Sequence, residues 1–90
     1  MSYEQERDVA EMNILLFANL AELVGASSVQ LDLACPVKVA EVKRMFIEKY
    51  PHVQPILISS FAAVNHTFAS DDDVIQSGDE VAFIPPVSGG

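Results

Sequence analysis

The sequence predicts an α+β domain in which a single main helix packs across one mixed sheet. Three observations lead there. Two strand-like segments precede the one clear amphipathic stretch, and further strand-like segments follow it. The first and last of these strands are strongly apolar, as expected of strands at the centre of a sheet. No repeat, low-complexity segment or linker divides the 90 residues, a length that fits one domain.

Residues 1–11, MSYEQERDVAE, are polar and acidic with no strand or helix period, and read as a flexible N-terminal extension or a remnant of cloning. Met12 opens MNILLFA, an apolar run of strand length, and marks the expected start of the domain. Residues 19–25, NLAELVG, place Leu20, Leu23 and Val24 at helical spacing and close on Gly25, so a helix of one or two turns is expected. SSVQLDL then alternates, with Val29, Leu31 and Leu33 on one side and Gln30 and Asp32 on the other. This is a half-buried strand, hairpinned to the first.

The amphipathic helix is read over 36–51, PVKVAEVKRMFIEKYP. Val39, Val42, Phe46 and Tyr50 share one face, with Pro36 at the start and Pro51 at the stop. Four of the five basic residues, Lys38, Lys43, Arg44 and Lys49, lie in this stretch, and Arg44 stands four residues before Glu48 at ion-pair spacing. Beyond it, Phe61–Val64 reads as a strand, Asn65-His66 as a tight turn and Thr67-Phe68 as the returning strand. DDDVIQSGDE is turn-rich and leads into EVAFI, the last strand. Two strands, a helix, then further strands, with the outer two parallel at the centre, is the order of a β-grasp; residues 12–86 are its expected extent.

Composition narrows the function. A net charge of −8 disfavours a nucleic-acid or anionic-membrane partner and favours a basic protein surface. The single cysteine, Cys35, excludes an internal disulfide framework and a multi-cysteine metal site, and fits a reducing compartment. No stretch approaches a spanning helix and the N-terminus lacks signal-peptide order, so the expected location is cytoplasmic. His52 and His66 have no metal-ligand spacing, and Asp71-Asp72-Asp73 lacks the ligand alternation of a calcium loop. A Cys35–His dyad has no local signature, and a small core thiol is the simpler reading. No nucleotide-binding glycine motif is present, so no cofactor is expected on this chain.

What is unusual is the tail. After Phe83-Ile84, Pro85 and Pro86 set an extended course and remove two donors, so sheet pairing stops there. Val87-Ser88-Gly89-Gly90 follows. Five extended residues from Pro86 reach roughly 17 Å, and a pair without Cβ atoms can enter a channel that admits backbone alone. A carboxylate at that end could be activated by ATP as an acyl-adenylate and then captured by sulfur. An idle end is the alternative.

The runs LLFANLAELVG, AAVNHTFAS and GDEVAFIPPVSGG together resemble the family of molybdopterin synthase small subunits, the ubiquitin-like sulfur carriers of molybdenum cofactor synthesis. The resemblance covers residues 12–90, and the terminal run is its specific part. It implies a ubiquitin-like β-grasp whose Gly90 carboxylate is adenylated by an ATP-dependent activating enzyme and converted to a thiocarboxylate. A sulfur donor completes the loading. The tail would enter the large catalytic subunit of a heterotetrameric synthase and give sulfur to cyclic pyranopterin monophosphate. On this reading Gly90 bears the sulfur and Gly89, Ser88 and Val87 thread the channel. Phe83, Ile84, Pro85 and Pro86, with Val87, form the partner interface, although Phe83 or Ile84 must face the core because strand neighbours alternate. Cys35 and His66 match no functional position of the family. Competing readings are a thiamine-type sulfur carrier, a ubiquitin-like protein modifier and a plain β-grasp binding domain.

Overall fold

The computed structural model describes residues 8–86; Val87, Ser88, Gly89 and Gly90, and the first seven residues of the expected extension, lie outside them. Eleven elements follow in order. Strand β1 (Asp8–Leu16), helix α1 (Ala18–Val24), strand β2 (Ser28–Cys35) and the two-residue strand β3 (Val37–Lys38) lead to helix α2 (Val39–Lys49). A 3₁₀ turn at Pro51–Val53 and helix α3 (Gln54–Leu57) follow, then β4 (Phe61–Val64), β5 (Thr67–Ala69), β6 (Val74–Ile75) and β7 (Val81–Ile84).

Five strands form the main sheet in the order β2-β1-β7-β4-β5. The two strongly apolar strands are its centre and run parallel, with Ile14 opposite Val81 and Leu16 opposite Phe83. The other pairs are antiparallel. This is the β-grasp arrangement. Helix α2 lies on one face because Val39, Val42 and Phe46 recur on one side of it and are fully buried. They join Ile14, Leu33, Val81 and Phe83 in one core, where the Phe46 and Phe83 rings meet nearly edge-on at 5.6 Å. Tyr50, half-buried just beyond α2, adds a third ring 5.1 Å from Phe46.

Three expectations need correction. β1 begins at Asp8, so the domain does not start at Met12: Asp8–Glu11 pair with Asp32–Cys35 of β2. Those four residues carry no strand period of their own; backbone pairing with a longer partner strand recruits them. Helix α2 begins at Val39 instead of Pro36, because Val37 and Lys38 pair with Ile75 and Val74 in a second, two-stranded sheet. The Cys35–Pro36 peptide is cis, and Cys35 is a buried residue at the end of β2 instead of a helix entrance. The acidic turn acts as a backbone cap: Val39 N–H donates to the Asp73 carbonyl (3.0 Å) and Ala40 N–H to that of Asp71 (3.1 Å). Lys43 fastens the same turn to the residue before β4, donating to the Ser60 carbonyl at 3.2 Å with Asp71 Oδ1 3.3 Å away.

Candidate functional site

With α2 covering one face, strand alternation decides what the other presents. In β7, Val81 and Phe83 point inward and are fully buried, while Ala82 and Ile84 point outward. The two-residue turn at Asn65-His66 then fixes β4 against β5. Ala63 stands opposite Phe68, and Ala63 also opposite Ala82, which stands opposite Leu15. One rung across the outer face therefore reads Leu15, Ala82, Ala63, Phe68. Two methyl groups floor a hollow between two large walls. The next rung places Phe61 opposite Ile84.

The aromatic residues here face solvent. Phe61 is 55% exposed, Phe68 71% and Phe17 47%. The Phe61 and Phe68 rings touch at 5.7 Å. Contiguous apolar surface of this kind on a small acidic domain marks a protein interface. The groove continues from the hollow to Phe17 and Ile84 at one end and to His66 and Glu80 at the other.

The chain leaves the sheet at the Ile84 end. Pro85 is buried and Pro86 exposed, so the two prolines carry the backbone out of the core within two residues. A second hollow, lined by Phe17, Ala18, Asn19, Glu22 and both prolines, flanks the exit on the side of α1. Ala18 there has φ +52°, a left-handed conformation uncommon for alanine.

The other end of β7 is locked in place. Asn65 donates from Nδ2 to Asp79 Oδ1 (3.0 Å) and accepts the Glu80 N–H on Oδ1 (2.9 Å), while its own N–H reaches the Glu80 carbonyl (2.8 Å). Asp79 in turn accepts the Gln76 N–H on Oδ2 (2.8 Å), closing a turn in which Gly78 has φ +90°. The Val64-Asn65 pair and the Gly78-Asp79-Glu80 run are thus two halves of one clasp that aims β7 at its exit.

Of the expected interface residues, Ile84, Pro85 and Pro86 stand at the exit. Phe83 does not belong to a surface: it is fully buried against Phe46, so its assignment to the partner interface is corrected to core. Gly90, Gly89, Ser88 and Val87 lie outside the described residues. Leu15, Phe17, Phe61, Ala63, Phe68 and Ala82 were not anticipated from the sequence. The signal was present in the hairpin register, since a two-residue turn at 65–66 puts Phe61, Ala63 and Phe68 on one face.

The remaining candidates do not assemble a catalytic centre. His52 is exposed and donates from Nε2 to the Leu23 carbonyl (2.8 Å), tying the 3₁₀ turn to α1. His66 is exposed, with Nε2 3.2 Å from Glu80 Oε1. Cys35 Sγ donates weakly to the Leu33 carbonyl at 3.9 Å. Among the described residues no group of three or more His, Cys, Asp or Glu is placed to hold a metal ion. Arg44 bonds to both Glu41 and Glu48, and the Glu41 hydrogen bond, then the charges of both carboxylates, raise its pKa above the ordinary arginine value. None of its helix lies on the outer sheet face.

The fold and the exit together define a ubiquitin-like carrier domain: a β-grasp whose chain leaves its central strand β7 beside an apolar face that the described residues leave exposed. The chain belongs to the ThiS family, which it matches over residues 14–90. It is similar to the molybdopterin synthase sulfur carrier subunit of Dictyostelium discoideum, with 40% identity over 89% of this chain and 96% of that one. The protein of the same description from Escherichia coli is 34% identical over 88% of this chain and 99% of its own length. Among solved structures, the small archaeal modifier protein 1 of H. volcanii superposes with a TM-score of 0.77 at 26% identity, covering 87% of this chain and 99% of that one.

Proposed function

We propose that this chain is the sulfur-carrier subunit of a molybdopterin synthase and that the carboxylate of Gly90 carries the sulfur. One observation carries the reading: in a chain of this family, β7 leaves the core at Ile84-Pro85-Pro86 beside an apolar face that no other described residue covers. A carboxylate resists nucleophiles until its oxygen becomes part of a good leaving group. An ATP-dependent activating enzyme would supply that: the Gly90 carboxylate attacks the α-phosphate of ATP, pyrophosphate leaves and an acyl-adenylate results. Sulfur from a donor then attacks the acyl carbon and AMP departs, leaving a thiocarboxylate. ATP belongs to the activating enzyme, and this chain supplies no cofactor.

The loaded tail would enter the catalytic large subunit, with Val87, Ser88 and Gly89 in the channel and Ile84, Pro85 and Pro86 at its mouth. There the thiocarboxylate sulfur attacks cyclic pyranopterin monophosphate, water cleaves the resulting thioester at the acyl carbon to return the Gly90 carboxylate, and two such transfers complete the dithiolene. A heterotetramer with two carriers on a large-subunit dimer, in the cytoplasm, follows from this reading. Among the described residues no helix is long and apolar enough to cross a membrane.

The test is exact-mass tandem spectrometry of the C-terminal peptide after incubation with ATP, activating enzyme and a sulfur donor. Replacement of one oxygen by sulfur on Gly90 supports the carrier. An unmodified Gly90, where a known carrier is loaded in parallel, overturns it. A second reading, attachment of Gly90 to lysines of other proteins, is favoured by the likeness to a protein named as an archaeal modifier. It would appear as isopeptide-linked conjugates that survive denaturation.

A further inference from the structure

The groove on the outer face has two chemically different ends, and the one remote from the tail has no role in the reading above. Glu80 immediately precedes β7, and Ala82 and Ile84 are its outward positions, so the groove runs from a carboxylate, over the alanine hollow, to the exit. Glu80 is half-buried and held by backbone bonds to Asn65 on both its N–H and its carbonyl. Its backbone is therefore fixed, and its carboxylate lies at the end of the groove beside His66.

Among the described residues the fixed charge on this face has one sign. Glu11 and Asp32 lie directly opposite each other on the outer side of β1 and β2, an arrangement that is unfavourable in the isolated domain. Among the described residues the lysines and arginine are Lys38, Lys43, Arg44 and Lys49, all on α2 or the residue before it, in the layer behind the sheet. Among the described residues the ion-pair partner of Glu80 is His66, with Nε2 3.2 Å from its carboxylate and a side chain 84% exposed.

His66 occupies its place at a conformational cost. It is the second residue of a turn in which both central residues have positive φ, +53° for Asn65 and +69° for His66. Glycine is the low-cost residue there, and asparagine tolerates it. A side chain held in a sparsely populated conformation at the rim of an uncovered groove points to a use for that side chain.

We propose that Glu80, with His66, is the specificity-determining end of this groove. Its partner, the catalytic large subunit, places an arginine or lysine against the Glu80 carboxylate. About one strand period away, roughly 7 Å, the same partner surface sets an apolar side chain into the Ala63–Ala82 hollow. His66 occupies Glu80 in the unbound carrier and yields it on docking. The inference rests on the carrier reading for the identity of the partner and on the groove geometry for its chemistry. Opposite charge across an interface rim sets register and rate of association, and rejects partners with an acid at that point.

The test measures binding of the full-length carrier to the purified catalytic subunit from low to high salt. Glu80→Gln keeps both backbone bonds to Asn65, so the fold is retained. It should weaken binding about tenfold at low salt, with the gap closing as salt screens the wild-type contact. His66→Gly, which suits the turn and uncovers Glu80, should bind at least as tightly as the wild type. Phe68→Ser is the control for the face itself. Loss of binding with Phe68→Ser but wild-type affinity and salt dependence with Glu80→Gln overturns this proposal and leaves the carrier reading intact. If all three variants bind like the wild type, the outer face is not the docking surface. Absence of any binding by the wild type overturns the synthase assignment itself.

Discussion

Asn65 and Asp79, fourteen residues apart in the chain, are joined side chain to side chain at 3.0 Å, and this bond ties the β4–β5 turn to the loop that feeds β7. Asn65 does two things at once: it adopts φ +53° and it bonds the neighbouring loop. Substitution separates them. Asn65→Gly keeps the backbone conformation and loses the side-chain bonds, at about 1 kcal/mol. Asn65→Ala loses both, at about 2 kcal/mol. Urea midpoints should fall in the order Asn, Gly, Ala; equal midpoints for Gly and Ala would remove the backbone part of this account.

The Phe46–Phe83 contact is the centre of the core, with both rings fully buried. Phe46→Ala should cost about 3–5 kcal/mol. A domain this small has roughly 5–15 kcal/mol in all, so the variant should be largely unfolded well below the wild-type melting temperature. A shift of only a few degrees would mean that the core re-closes around the cavity.

Phe61 is the opposite case. More than half exposed, it contributes little to folding, and Phe61→Ala should change stability by less than about 1 kcal/mol. Affinity for the catalytic subunit should nevertheless fall more than tenfold, because large exposed aromatics at an interface carry a disproportionate share of its energy. Calorimetric titration of both proteins reads this directly.

Removing Gly89 and Gly90 takes away no residue of the described core, whose last member is Phe83. The truncated chain should melt with the wild type and take up no sulfur. A lower melting temperature would show that the tail packs on the domain.

Ala18 holds φ +52° at the start of α1, beside the tail exit. Ala18→Gly relieves that conformation and should raise stability by about 1 kcal/mol in urea unfolding. No gain would indicate that the first turn of α1 relaxes in solution.

Much of the main sheet was legible because its signals are local. MNILLFA and EVAFI are apolar enough to be central, and Asn65-His66 announces its hairpin. What was not legible depends on pairing between distant segments. Val37-Lys38 and Val74-Ile75 are too short for any period, and Pro36 beside them satisfies the local rule for a helix start. Asp8–Glu11 become strand only through β2. The outer face was hidden for a different reason. Phe61, Ala62, Ala63 and Val64 are all apolar, so hydrophobicity does not say which alternate pair is buried, and here the alanine goes in while the phenylalanine stays out. The exit at Ile84-Pro85-Pro86 was legible because two prolines end strand pairing, and the groove was illegible because only register reveals it.

β7 is flanked by β1 on one side and β4 on the other, and the chain runs from it straight into Pro85 and Pro86. A partner that draws the tail into a channel pulls along the axis of a strand bonded on both edges. Such a pull loads the hydrogen bonds of both ladders together, in shear, whereas a tail issuing from an edge strand would let them peel away one at a time. On the proposed reading the domain serves as an anchor: its end would be gripped, threaded and withdrawn repeatedly while the core that delivers it stays closed.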